Sequence, residues 1–254
     1  MTKSAMNKLL SITILGLFLQ GCASTLQLDP EALDGQEQVY QEGVEAIISP
    51  KKALVAIRPQ AKTYSSEDRP IIVITVLNGT QEPFDFSTED VHVFLDGEPH
   101  KVFTYDELVA EIKREKTWAA IAVAISGAAQ SMNAANAGYT YNSFTADKSG
   151  NSAYGFGSYS GYTYNAAAAQ QAQAAVNAQT QANLQAIETR SEQSLSSLSV
   201  TMLKKTTVFP QAWHGGYVTF DKIPTADHPS DIRVVIMAAG EEHEFLFKHF
   251  KLPK

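Results

Sequence analysis

The chain has 254 residues, is 44% hydrophobic and sets Lys+Arg 20 against Asp+Glu 27, for a formal net charge of −7. That is length and apolar content for one substantial domain or two small ones. The acidic balance disfavours nucleic acid, whose affinity rests on cations neutralising phosphates, and a single cysteine excludes a disulfide framework or a multi-cysteine zinc site.

Lys3 and Lys8 precede an apolar run from Leu9 to Leu19, and the small Gly21 precedes the lone Cys22. A basic start, an apolar stretch of about 7–15 residues and a small residue at the cut describe a secretory signal. A spanning helix would need about 20 apolar residues. Leu19-Gln20-Gly21-Cys22 resembles the lipobox of bacterial lipoproteins. The resemblance implies a signal peptide over 1–21, cleavage directed by Leu19 and Gly21, and a diacylglycerol on the Cys22 thiol. It also implies a lipid-anchored envelope protein, in the outer membrane facing the periplasm where there are two membranes, since Ala23 is not the aspartate that marks inner-membrane retention. Firm anchoring takes two acyl chains, because each buried CH₂ contributes only about 0.8 kcal/mol. With Cys22 acylated, no thiol remains as a nucleophile.

Residues 22–50 read as a tether, with turn signals at Asp29-Pro30 and Asp34-Gly35 and a short helical turn over Val44–Ile48. From Ala53 the pattern becomes that of strands. Leu54–Ile57 is a short apolar run. Ile71–Leu77 is β-branched and almost wholly apolar, which predicts an interior strand ending at the Asn78-Gly79 turn. Phe84–Phe86 and Val91–Leu95 alternate, and Asp96-Gly97 signals a hairpin into a strand through Val102 and Phe103. The strand pattern stops at Thr104 and resumes at Thr206, with further strands at Gly215–Phe220, Ile232–Met237 and Glu244–Lys248. About seven short strands with turns between them suggest an Ig-like β-sandwich over 51–103 and 206–254. Val76-Leu77-Asn78-Gly79-Thr80, and Phe209-Pro210 with Gly216-Tyr217-Val218-Thr219-Phe220, resemble segments of small Ig-like domains in secreted bacterial proteins. Neither segment implies catalysis.

Residues 104–205 read as an insertion. Asp106 and Glu107 suit the first turn of a helix that follows Thr104. Trp118–Ala129 is apolar all round, which predicts burial. The partner is a second helix over about Ala166–Met202, with Ala168, Ala172, Ala175, Ala182 and Ala186 and then Leu184, Ser191, Leu195, Leu198 and Met202 at helical spacing. The expected fold class is therefore α+β, an antiparallel sandwich carrying an inserted antiparallel helical hairpin. Its tip, 138–165, holds Tyr139, Tyr141, Phe144, Tyr154, Phe156, Tyr159, Tyr162 and Tyr164 among glycines, serines and asparagines. Aromatics supply contact area at low entropic cost and small polar residues adapt to it, so this is the composition of an interaction surface as well as that of a long loop.

Catalytic patterns are weak. Gly155–Gly161 has one residue too many for a dinucleotide loop, no strand before it and no acidic residue after it at a useful distance. Ser49-Pro50-Lys51-Lys52 has proline where a Ser-x-x-Lys motif needs a helix. His243 and His249 share a strand face but stand roughly 20 Å apart along it. His100 is expected opposite Val93, which turns His92 to the other face. Glu241–Glu244 reads as a solvated turn. The sequence thus points to a non-catalytic scaffold or interaction module without cofactor or metal, partnered by the membrane and by an envelope protein or further copies of itself. The alternatives are a ligand carrier or enzyme with a pocket between sandwich and hairpin, or a self-assembling envelope structure.

Overall fold

The computed structural model describes residues 24–41, 43–146, 157–226 and 228–253. Among the described residues the fold is mixed α+β, with two α-helices and antiparallel sheets. The chain divides into two compact units, with boundaries after Tyr105 and after Val200.

The first unit begins with β1 (Thr25–Glu31), β2 (Glu37–Gln41), β3 (Val44–Pro50), β4 (Ala53–Pro59), β5 (Thr63–Ser65), β6 (Ile71–Asn78), β7 (Phe84–Phe86), β8 (Val91–Leu95) and β9 (Glu98–His100). The second unit holds α1 (Tyr105–Asn136, whose first residue closes the first unit), β10 (Tyr139–Ala146), β11 (Gly157–Tyr164) and α2 (Ala166–Thr201). The first unit then resumes with β12 (Thr206–Val208), β13 (Trp213–Thr219), β14 (Ser230–Ala238) and β15 (Glu241–Lys251). One sheet runs β5-β1-β15-β14-β8-β9, another β13-β6-β4-β3-β2, and β12 pairs with β7. Both larger sheets feed one buried cluster, including Leu28, Val91, Val93, Ile232, Phe245 and Phe247 from the first and Ile47, Val55, Ile57, Ile72, Ile74 and Val218 from the second. Each such side chain contributes about 1.5–3 kcal/mol when fully buried. β6 lies inside its sheet between β13 and β4, with Ile72, Ile74, Val76 and Asn78 alternately buried.

Residues 22–50 are not a tether where they are described. They supply three strands, and Leu26, Leu28 and Ile47 are fully buried. Val44–Ile48 is strand rather than helical turn, because Ile47 is bonded into a ladder on both sides, opposite Gln38 and Ile57. Pro30 fits inside β1 because β5 pairs only with Thr25–Gln27, which leaves the other side of the strand open at the proline. The described residues of the first unit form thirteen strands, three of them before residue 51 and ten in the segments expected to hold about seven. The hairpin after Asp96-Gly97 forms as expected, with φ of 49° and 90° at the two turn residues. Its second strand stops at His100, and Val102 makes only an isolated bridge to Phe220.

In the second unit, α1 and α2 touch at several places. Gln173 Nε2 donates to Ser131 Oγ at 2.9 Å, and Lys116 Nζ meets Glu188 Oε1 at 2.6 Å. Between these pairs, a Cβ on Gly127 would come within 2.8 Å of Thr180 Oγ1, so glycine is what lets the helices approach there. At 1.5 Å per residue the helices extend about 48 Å and 54 Å. The run Trp118–Ala129 is not buried all round. Only Gly127 in it is buried, while Trp118, Ile121 and Ile125 face outward, because a single partner helix covers one side of α1.

Candidate interaction surface

The features of the second unit come from what it lacks as much as from what it holds. Among the described residues from Thr117 to Ile187 there is no Asp, Glu, Lys, Arg or His. A solvated helix ordinarily carries such residues on its outer face. Here the outer face of α1 presents Trp118 at 65% exposure, Ile121 at 43%, Ile125 at 67% and Met132 at 72%.

β10 and β11 form a two-stranded ribbon between the helices in sequence. Tyr139 stands opposite Tyr164, Tyr141 opposite Tyr162 and Phe144 opposite Tyr159. Tyr139, Tyr141 and Tyr164 are exposed. The rings of Tyr139 and Tyr164 lie 4.9 Å apart at 52°, a tilted aromatic pair. Tyr164 also packs across Gly138, where a Cβ would be 2.6 Å from Tyr164 Cε2 and 2.8 Å from the Asn165 carbonyl. Asn165 joins ribbon to helix. Its backbone N–H donates to the Gly138 carbonyl at 2.7 Å, and its Oδ1 accepts from the Ala168 N–H at 3.2 Å, capping α2. Leu19, Gly21, Cys22, Tyr154 and Phe156 lie outside the described residues.

The titratable side chains of the first unit do not converge. His243 is fully buried, with Nδ1 3.0 Å from Ser49 Oγ. Burial, assisted by the charge of Lys51, pushes its pKa down to about 4, although Glu241 and Ser49 pull the other way. His249 is also buried and lies 6.0 Å, centroid to centroid, from Tyr64. Burial lowers the His249 pKa and raises that of Tyr64. His100 is opposite Val93, as the hairpin requires, and its Nε2 meets the Asp221 carbonyl at 2.9 Å. Glu241–Glu244 is not a solvated turn. It opens β15 after a tight turn at Ala239-Gly240, Glu241 Oε2 accepts from the Lys52 N–H at 2.8 Å, and His243 points into the core. Among the described residues no group of three or more His, Cys, Asp or Glu could hold a metal ion, and no helix is long and apolar enough to cross a membrane.

A cleft of about 510 Å³ in the first unit is lined by Ala226, His228, Pro229, Phe250, Lys251, Leu252 and Pro253, with no carboxylate among them to pair with the imidazole. No family model, curated protein or solved structure matches the chain. The sequence pattern groups the ribbon's aromatics at 138–165 but does not show that they pair across two strands. It missed the outward face of α1, whose signal was the 3-4-7 spacing of Trp118, Ile121, Ile125 and Met132 inside an otherwise featureless apolar run.

Proposed function

We propose that the protein is a lipid-anchored envelope lipoprotein that works without catalysis, as a scaffold or protein-interaction module acting through its second unit. The observation that carries this reading is the surface of that unit, which combines helices whose described residues from Thr117 to Ile187 carry no charge with exposed Trp118, Ile121, Ile125 and Met132 and the exposed tyrosines of the ribbon. Contiguous exposed apolar area of this kind usually marks contacts. The anchor rests on the Leu19–Cys22 lipobox resemblance, and an outer-membrane, periplasm-facing location on Ala23 after it. We read the first unit as an Ig-like β-sandwich, supported by two antiparallel sheets that share one buried cluster. We read the second as an inserted antiparallel helical hairpin, supported by the Ser131–Gln173 and Lys116–Glu188 contacts.

Two measurements test the reading. Metabolic labelling with palmitate should mark the wild-type chain and leave the Cys22→Ser variant unlabelled. In-cell crosslinking should capture a partner that is lost when Tyr139, Tyr141, Phe144, Tyr154, Phe156 and Tyr159 are changed to serine, with lipidation and the melting of the first unit unchanged. An unaltered crosslink pattern would show that the ribbon is not the contact.

A further inference from the structure

The outward face of α1 has an internal order that the interaction reading does not use. Trp118, Ile121, Ile125, Ala128 and Met132 are all exposed and follow one another at intervals of 3, 4, 3 and 4. That is the seam of a left-handed helix pair, in which each side chain seats between four residues of a facing helix. α2 occupies a different side of α1, against Gly127 and Ser131. The seam therefore has no partner among the described residues.

We infer that its occupant is a second copy of this chain, docked α1 against α1. This rests on the reading of the second unit as an interaction module and names its partner. Charge is the first argument. A two-fold interface brings each residue near its own counterpart, so any charge close to the axis meets a like charge. From Thr117 to Asn136 α1 carries none, and no charge pattern is present for an oppositely charged partner to read. Area is the second argument. The four large side chains expose on the order of 500 Å² of apolar surface, which matches the largest patches on monomeric proteins. With the exposed alanines between them, the face approaches the about 800 Å² per partner of a stable complex. Self-complementarity is the third. Ile125 is central, and Trp118 and Met132 stand seven residues to either side. An antiparallel pairing thus sets Ile125 on Ile125 and Trp118 on Met132, large side chain against large side chain.

The test uses the full chain purified in detergent, with Trp213→Phe so that Trp118 is the remaining tryptophan. The detergent-corrected mass should be twice that of one protomer, with Trp118 emission shifting to the blue as concentration rises. Ile121→Lys with Ile125→Lys should return the mass to one protomer and abolish the shift while helix content by circular dichroism is kept. A photo-crosslinker at position 125 of the otherwise unaltered chain gives a second readout, a crosslinked dimer, that does not depend on the lysine variants folding. A chain that stays monomeric, an oligomer unaffected by the two lysines, or a crosslinker at position 125 that captures no second copy overturns the inference. So does a different protein bound in stoichiometric amount and released by the lysines, but that result leaves the interaction reading intact. Loss of assembly on changing Tyr139, Tyr141 and Tyr164 to serine, with no effect of the lysines, likewise moves the contact to the ribbon without removing it from the second unit.

Discussion

The side-chain Nδ2 of Asn78 donates to the backbone carbonyl of Val208 at 2.9 Å, joining residues 130 positions apart in sequence. The same amide donates to the Glu82 carbonyl at 2.8 Å, and Asn78 Oδ1 accepts from the Thr80 N–H at 2.9 Å and the Thr80 hydroxyl at 2.7 Å. Backbone bonds from Asn78 to Gln211 and Ala212 close the arrangement. A fully buried asparagine with every polar atom satisfied thus ties the end of β6 to the returning half of the first unit. Asn78→Leu keeps the volume and strands those partners, each buried one costing about 1–3 kcal/mol. Urea unfolding should show a loss of roughly 3 kcal/mol at unchanged denaturant slope. A loss below about 1 kcal/mol would mean that water replaces the amide.

Leu203 sets the boundary between the units. It is fully buried in the core of the first unit, and its N–H donates to the Tyr217 carbonyl at 2.9 Å. Gly216 is glycine to admit it, since a Cβ there would lie 2.6 Å from the Leu203 nitrogen. Replacing residues 106–200 by a short Gly/Ser linker should leave a domain that melts cooperatively, because loop closure depends only weakly on length. Extending the replacement through Lys205 removes Leu203 and should cost a further 2–5 kcal/mol or so. Equal melting of the two deletions would place 201–205 outside the fold of the first unit.

The strands that were legible in the sequence are those whose alternation survives in isolation, such as Ile71–Asn78 and Val91–Leu95. Thr25–Glu31 and Val44–Pro50 were not, because their turn-forming Asp29, Pro30 and Pro50 outweigh the local pattern. Only the long-range ladders to β15 and β4 make them strands. The limits of the second unit were legible to within a few residues from the break in strand pattern. Residues 201–205 continue the helix in sequence and join the core only through tertiary contact. On α1, hydrophobicity alone could not say which apolar face would stay outside, since burial depends on how many helices pack around it.

Gly138 controls the junction of ribbon and helices. Gly138→Ala puts a methyl against the Tyr164 ring and the Asn165 carbonyl, and the carbonyl is backbone that also starts α2. The ring can rotate away; the carbonyl cannot move without loosening the Asn165 cap. The variant should lose on the order of 1–2 kcal/mol from the second unit through the cap, read as faster hydrogen exchange at Ala168 and Ala169. Exchange that is unchanged there would mean the junction relaxes without cost.

His243 gives the first unit a pH dependence whose sign can be worked out. Its pKa in the folded chain is about 4, against 6.5 for a free imidazole, with burial as the main cause and Lys51 next. Between those values the unfolded chain binds a proton that the folded chain refuses, so stability increases with pH across this window. The contribution is fully present above about pH 6.5 and is lost as pH falls toward 4, by at most about 3 kcal/mol from a shift of this size. His249, also buried with a lowered pKa, acts in the same direction. Carboxylates titrate in the same range, so the informative quantity is the difference between wild type and His243→Gln, which keeps a polar group toward Ser49 and does not titrate. Melting temperatures measured from pH 7.5 to pH 4 should fall more steeply for wild type than for the variant, and the two curves should converge or cross at the acid end. Parallel curves would show that His243 is protonated in the folded chain or reached by water, and that the proton is not what the interior excludes.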